Sequence, residues 1–504
     1  PVRLLERLDR AAGFAAGDAS VSATLRLPLI KDLPIEEVSY DVAAVLQNAR
    51  SEDIVKGRTL AAERLDLRVS SKDVTIAGAM SLDGVPLTVN WSQGIGAGDD
   101  GQSLATGRVT LSPDTLAALN VPLPRDVFGG RTRADFTLEI PSSGDPLLSL
   151  TSDLRGARID FGGLGWSKSP DQTARFVLEA SLGETIDVSG FDIDAPGLTL
   201  SGSTELAANN TLGRIALDKV KIGSWLDASA DVGLGGAAPS VTLTGGRLDL
   251  RNLPDLDTGG GGGGRNAVQV ALDELVVTDS IRLGPFRGEV TPNALGLSGD
   301  FQGRLNGGTV VRAVLAPTAN GTGVRIQTND AGGVLRDARL TPNARGGTLD
   351  IVMAPVGPTA PGAYNGQFEV DNLVLQDAPV MAALLDAVSV VGLVEQLSGG
   401  GLRFASVDGK FRMSPERLIL RDVAATGASL GVSANGVYNM ADARLDIEGV
   451  VSPFYFLNGL GQIVSRRGEG LFGVNYRVAG EVSPLSILTP GLFRQIFRRP
   501  PPIE

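Results

Sequence analysis

The chain has 504 residues, 42% of them hydrophobic, and contains no His and no Cys. That is material for roughly three ordinary domains or one elongated array, and it argues against global disorder. The two absences exclude Ser-His-Asp and Cys-His nucleophilic sites, Cys/His zinc sites, thiol redox centres and disulfides. The net charge of −12 gives no global electrostatic reason to bind nucleic acid, although Pro453 to Ile503 carries six Arg against two Glu and forms a basic end on an acidic molecule.

In chain order, a short helix is predicted over Val2–Ala12. The chain opens at Pro1 without an initiator Met, and reads as a fragment or processed product whose targeting segment lies upstream. From there, period-two alternation recurs: Arg64–Ser70, Asp135–Ile140, Leu198–Ser201, Val241–Thr244, Arg247–Arg251, Gln367–Val370, Arg444–Glu448 and Val474–Val478. Each segment has an aliphatic face and a polar face, the signature of half-buried strands. Asp83-Gly84, Asp408-Gly409 and Asn435-Gly436 read as turns between them, giving an antiparallel meander. Leu65–Trp91 and Leu154–Trp166 both read as a strand–Gly–Trp passage, a weak hint of one stacked unit used twice.

Helix signals are few. Ser112-Pro113, Asp377 before Pro379, Ser452-Pro453 and Thr489-Pro490 each pair an N-cap residue with Pro at or near the first helical position. The longest apolar run, Ala378–Val394, contains Asp386 and falls short of the ~20 apolar residues of a spanning helix. The run Gly259–Gly264 reads as a flexible loop. It satisfies a dinucleotide-binding spacing only because any glycine run does. Asp99, Asp100, Asp255 and Asp257 sit in Gly-rich loops without the ligand spacing of a calcium site, and read as solvated carboxylates. No metal or other cofactor is expected.

Many strands with an apolar face and few helices to cover them leave two arrangements: closed sandwiches, or a long folded-over sheet with an aliphatic channel. The scarcity of aromatics, 5% of residues, favours the second. Candidate lining residues are Leu65, Leu67, Val69, Phe136, Leu138, Ile140, Leu198, Leu200, Val241, Leu243, Leu248, Leu250, Phe368, Val370, Leu445 and Ile447. Near the end, a short helix after Pro490 would set Leu492, Phe493, Ile496 and Phe497 on one side, with Arg494, Arg498 and Arg499 around it. That stripe suits either contact with a membrane surface or a plug on the last strand edge.

From Asp371 onward the sequence resembles the C-terminal region of AsmA-like proteins of the long YhdP type found in alphaproteobacteria. The landmarks are Asp377-Ala378-Pro379, Gly392-Leu393, Gly427–Gly431, Asn435–Tyr438, Gly468–Gly473 and Leu488–Gly491. Leu27-Pro28-Leu29 through Gly78 to Trp91, and Asn329–Leu335, are similar to the same proteins. The resemblance implies a mainly β fold, a long twisted antiparallel sheet folded into an elongated hydrophobic groove with few short helices. It divides the chain into an N-terminal groove segment (1–258), a glycine linker (259–264), a middle groove segment (265–370) and the AsmA-like C-terminal region (371–504). It further implies a non-enzymatic, periplasm-spanning protein of a Gram-negative bacterium. Its partners would be phospholipids and the inner and outer membranes, with the inner-membrane anchor absent from this chain. The alternative is a scaffold that works with outer-membrane assembly proteins.

Overall fold

The structure, a computed structural model, describes residues 15–481 except 29–37, 56, 96–98, 120, 122, 124–125, 184–185, 207–211, 235–238, 255–266, 294, 358, 361, 377–400, 429 and 454–472. It is mainly β, built on a long, mixed, twisted sheet, with two α-helices among the described residues. The chain divides into two compact units. One comprises Pro1–Gly162, Trp166–Ile222 and Val232–Gly235, and the other Gly163–Gly165, Gly223–Asp231 and Gly236–Glu504.

In the first unit the strands are β1 (Ala16–Arg26), β2 (Ser39–Ser51), β3 (Leu60–Ser70), β4 (Asp73–Leu82), β5 (Val85–Gly94) and β6 (Ser103–Leu111). They continue with β7 (Phe128–Gly130), β8 (Thr132–Ile140), β9 (Leu147–Ser152), β10 (Ala157–Phe161) and β11 (Trp166–Lys168). The last are β12 (Arg175–Leu182), β13 (Ile186–Ala195), β14 (Leu198–Leu206) and β15 (Leu212–Ile222). All but β7, β10 and β11 pair antiparallel with their neighbours in sequence, as a meander of alternating segments should. The β4–β5 hairpin turns at Asp83 and Gly84, both at positive φ (50° and 83°), the backbone that a two-residue hairpin of this type requires. Helix α1 (Pro113–Ala118) starts where the sequence predicts, with the Ser112 hydroxyl accepting from the Thr115 amide at 3.2 Å.

Three short strands, β7, β10 and β11, form a separate small sheet. This corrects the suggested repeat. Trp91 stands in the large sheet, whereas Trp166 belongs to the small one, stacked on Phe161 at 5.7 Å and donating to the Pro196 carbonyl at 2.9 Å. The small sheet is held by Lys168, which is 1% exposed and whose Nζ donates to the carbonyls of Leu154, Ala157 and Ser169 at 2.7, 2.9 and 3.1 Å. Burial pulls its pKa down, against the pull of Asp153 and Asp171.

After β16 (Leu226–Gly233) come, in the second unit, β17 (Ser240–Asp249), β18 (Val268–Leu272), β19 (Glu274–Val276), β20 (Arg282–Asn293), β21 (Gly296–Leu305), β22 (Val310–Thr318) and β23 (Gly321–Thr328). They are followed by β24 (Ala344–Arg345), β25 (Thr348–Pro355), β26 (Tyr364–Leu375), β27 (Leu402–Met413), β28 (Arg417–Thr426), β29 (Leu430–Asn439), β30 (Arg444–Pro453) and β31 (Val474–Glu481). β17 pairs parallel with β18 and β19, which departs from the all-antiparallel expectation. Parallel neighbours need a crossover rather than a tight turn, and most of the residues between β17 and β18 lie outside the described ones. Helix α2 (Ala331–Asp337) was not predicted. Asp330 caps it, accepting from the Gly333 amide at 2.8 Å.

Two predicted turns are strand interior. Gly409 lies within β27 and Asn435-Gly436 within β29. Their glycines make room for large cross-strand neighbours: a Cβ on Gly409 would meet the Phe368 ring at 3.0 Å, and one on Gly436 would meet Ile447 Cγ1 at 2.6 Å. Ser452-Pro453 closes β30, where Pro453 is the last paired residue, and the segment that follows lies outside the described residues. The predicted helices over Val2–Ala12 and after Asp377 and Thr489, and the Gly259–Gly264 loop, lie outside the described residues.

Candidate functional site

Cross-strand partners in an antiparallel sheet share a face, so the registers show which side chains line up. In the first unit one row runs Leu46, Leu65, Gly78, Val89, Gly107, Phe136, Leu150, Leu178, Phe191 and Gly202, each opposite the next. A second runs Ala44, Leu67, Ile76, Trp91, Ala105, Leu138 and Leu148. Val69 faces Val42 and Val74, Ile140 faces Ser103, and Leu198 and Leu200 face Ile222 and Val220. The eight first-unit candidates thus lie on one apolar face. Leu65, Val69 and Leu198 are buried; Leu67, Phe136, Leu138, Ile140 and Leu200 are half-buried.

The second unit repeats the arrangement. Val241 and Leu243 stand beside Val268 and Val270, and Leu248 beside Leu275. Val270 continues through Gly288, Phe301, Ala313, Ile326 and Ile351 to Phe368. Val370 faces Leu349 and Val407, and Ile447 faces Gly436 and Val478, with Leu445 two residues along the same face. Val370 is buried, and the other strand candidates here are half-buried. Leu250 is half-buried but belongs to a 3-10 turn, Leu250–Asn252, not to the strand alternation.

In the second unit, buried residues gather into clusters, several of them near strand ends. One cluster joins Val324, Met353, Tyr364 and Met413; another joins Leu402, Phe404, Leu430 and Val451. Between those ends Ile326, Ile351, Phe368 and Phe411 remain half-buried. The α2 helix covers one end only, through Ala331 packed with Ala344, Val370 and Leu373.

The opposite face carries cross-strand ion pairs. Arg108 Nε meets Asp135 at 3.0 Å, Arg175 meets Asp192 at 2.7 Å, Arg325 Nε meets Asp350 at 3.0 Å, and Arg477 grips Asp446 through two bonds of 2.7 and 2.8 Å. These guanidinium groups hold the Asp350 and Asp446 carboxyls below the usual carboxylate range. Exposed pairs of this kind add little stability, but they keep the face wet and the cross-strand register specified.

Arg247–Arg251 departs from its alternation. Gly245 and Gly246, at φ 65° and 76°, bend the strand, and Asp249 is 2% exposed instead of solvated. Arg251 Nε donates to it at 2.8 Å, and Arg247 approaches at 3.1 Å. Val241 and Leu243 lack a clear outer face, because Thr242 and Thr244 are half-buried like them.

Of the residues that sequence reasoning missed, Leu150, Phe191, Phe301 and Phe411 lie in strands interrupted by Gly, Ala or Ser; Trp91 and Ile351 were missed as well. The alternation in the interrupted strands is weaker, although the Phe residues two positions from a Gly (Gly288, Gly366, Gly409) gave a signal. Asp99 and Asp100 each accept from a nearby amide, those of Gly101 and Gln102. Among the described residues no three acidic side chains gather to hold a metal ion, and no helix is long and apolar enough to cross a membrane. Asp255, Asp257 and the membrane-contact candidates Leu492, Phe493, Arg494, Ile496, Phe497, Arg498 and Arg499 lie outside the described residues. No protein family, no curated protein and no solved structure matches the chain.

Proposed function

We propose that the chain guides phospholipids, their acyl chains resting on the apolar sheet face and their head groups kept at its wet margin. One observation carries this reading: in each unit an apolar face continues from strand to strand, and part of it (Leu67, Phe136 and Leu138 in the first unit, Ile326, Ile351 and Phe368 in the second) is only half-buried, while Leu65 and Val89 beside it are buried. A face of that extent left accessible to water calls for an apolar occupant. Each CH₂ that leaves water for such a face gains about 0.8 kcal/mol. An acyl chain is therefore held firmly against water, while sliding across successive rows changes its buried area little. The resemblance to AsmA-like proteins supports the same reading and adds the setting: a Gram-negative periplasm, with traffic between the inner and outer membranes.

The test is mass spectrometry of lipids extracted from the purified chain, paired with transfer of labelled phospholipid between vesicles. Stoichiometric phospholipid and protein-dependent transfer are expected. A lipid-free protein that moves no lipid, although folded, overturns the proposal.

A further inference from the structure

The apolar face of the second unit carries a recurrent pattern of glycine and phenylalanine. On β26 and β27, Gly366 stands opposite Phe411 and Phe368 opposite Gly409. On β20 and β21, Phe286 stands opposite Gly303 and Gly288 opposite Phe301. Each is a reciprocal square of two glycines and two phenylalanines, and in the second the rings stack at 5.2 Å. The rings lie down on the sheet. The atoms nearest to a Cβ on Gly366 would be those of the Phe411 ring, and a Cβ on Gly288 would meet Phe301 Cδ1 and the Asp300 carbonyl.

Glycine weakens a strand, and covering it with a cross-strand ring recovers part of that loss. Reciprocal squares do something more: Phe411, Phe301 and Phe368 lie over Gly366, Gly288 and Gly409, which lowers the face at these points, while Ile326 and Ile351 stand in the row between the two squares. Interfaces between proteins, or between two sheets, interlock through projecting side chains, which fixes a single register. Low ground at these points suits an occupant that must slide, and Phe368 and Phe411 are half-buried there, each at the margin of a buried cluster.

We infer that Gly366 and Gly409 are specificity-determining residues that set the depth of the lipid path, leaving room for two-chain lipids by letting Phe411 and Phe368 lie flat. This rests on the lipid reading above. A methyl at Gly366 points out of the same face and lifts the Phe411 ring, and one at Gly409 presses on Val423 Cγ2 at 2.8 Å and on the Phe368 ring at 3.0 Å, narrowing the space for acyl chains.

The experiment compares vesicle transfer of a two-chain phosphatidylethanolamine with that of its single-chain lyso form, for the wild-type chain, Gly366→Ala and Gly409→Ala. The expected result is a drop of about fivefold for the two-chain lipid, with the lyso form changed by less than about twofold, a selectivity shift near 1 kcal/mol. A merely structural role would lower both lipids together, and that result, or no change in either, overturns the inference. Should the alanine variants unfold, Phe411→Leu and Phe368→Leu deepen the same floor and must shift selectivity the opposite way; an unchanged ratio refutes the inference. A wild-type chain that carries and transfers neither lipid overturns the lipid reading itself, an outcome distinct from a wild type that transfers both with unselective variants.

Discussion

Lys168 and Asp249 are the two residues whose chemistry runs furthest against their surroundings. Lys168 spends its ammonium on three main-chain carbonyls of the small sheet. Replacing it with Met keeps the apolar stem but removes the charged donor, leaving the Leu154 and Ser169 carbonyls with only the longer bonds from the Ala157 and Gln172 amides, at 3.2 and 3.3 Å. A loss of about 1–3 kcal/mol is expected in urea unfolding of the first unit, the usual worth of hydrogen bonds to a charged group. Asp249 works the other way, its carboxyl held below the usual range chiefly by the Arg251 side chain, with Arg247 adding to it. A carboxyl with a depressed folded pKa contributes stability that is full above its unfolded value, near 3.8, and lost as pH falls through the lower folded value. Asp249→Asn should therefore cost about 1–3 kcal/mol at neutral pH, less than for a fully buried pair because both Arg side chains reach water. The gap between variant and wild type should close below about pH 4. A gap that is constant with pH would show that hydrogen bonding, not charge, holds this corner. Neither residue was legible in the sequence. Lys168 carries no pattern, and Asp249 sits where strict alternation places a solvated group, while its partner across the sheet is Val276, 0% exposed.

At the scale of elements, the strands with clean alternation, such as β3, β8 and β30, were readable because polar and aliphatic residues follow the pleat without interruption. So was α1, whose Ser-Pro start states both its cap and its first turn. Ser112→Ala should cost about 1 kcal/mol, the usual worth of such a cap, read as a lowered thermal midpoint of the first unit. Three features escaped. The parallel pairing of β17 depends on a long connection, whose path no local pattern records. α2 was missed although Asp330 stands ready as its cap, because two glycines in its first turn read as loop. They are there for space: a Cβ on Gly332 would sit 2.5 Å from the Arg345 backbone. The glycines of Asp408-Gly409 and Asn435-Gly436 imitate turns, since the residue that suits a tight turn also suits a strand position under a large cross-strand side chain. What separates the two uses is the partner strand, and a single strand's sequence does not contain it.

At the scale of the molecule, the proposed function rests on one face of each unit being apolar and accessible while the other is charged, and that division supplies its own control. On β22, Leu315 faces Gly299 and Val324 on the apolar side, and its neighbour Val314 faces Asp300 and Arg325 on the charged side, 47% exposed. In the first unit, Leu138 faces Ala105 and Leu148, while Leu104 faces Glu139 and is 40% exposed. Aspartate at Val314 or Leu104 adds a charge to a surface that already carries charges, and stability and lipid content should change little. Aspartate at Leu315 or Leu138 puts a carboxylate where acyl chains are proposed to lie, and burying it without a partner is costly. A penalty of only about 1.4 kcal/mol lowers lipid occupancy tenfold. The expected outcome is loss of co-purified phospholipid in Leu315→Asp and Leu138→Asp, and its retention in Val314→Asp and Leu104→Asp, with circular dichroism confirming the sheet in all four. Equal loss from both faces of folded protein would mean that lipid does not follow the apolar face. Retention in all four would mean that the face serves as core alone.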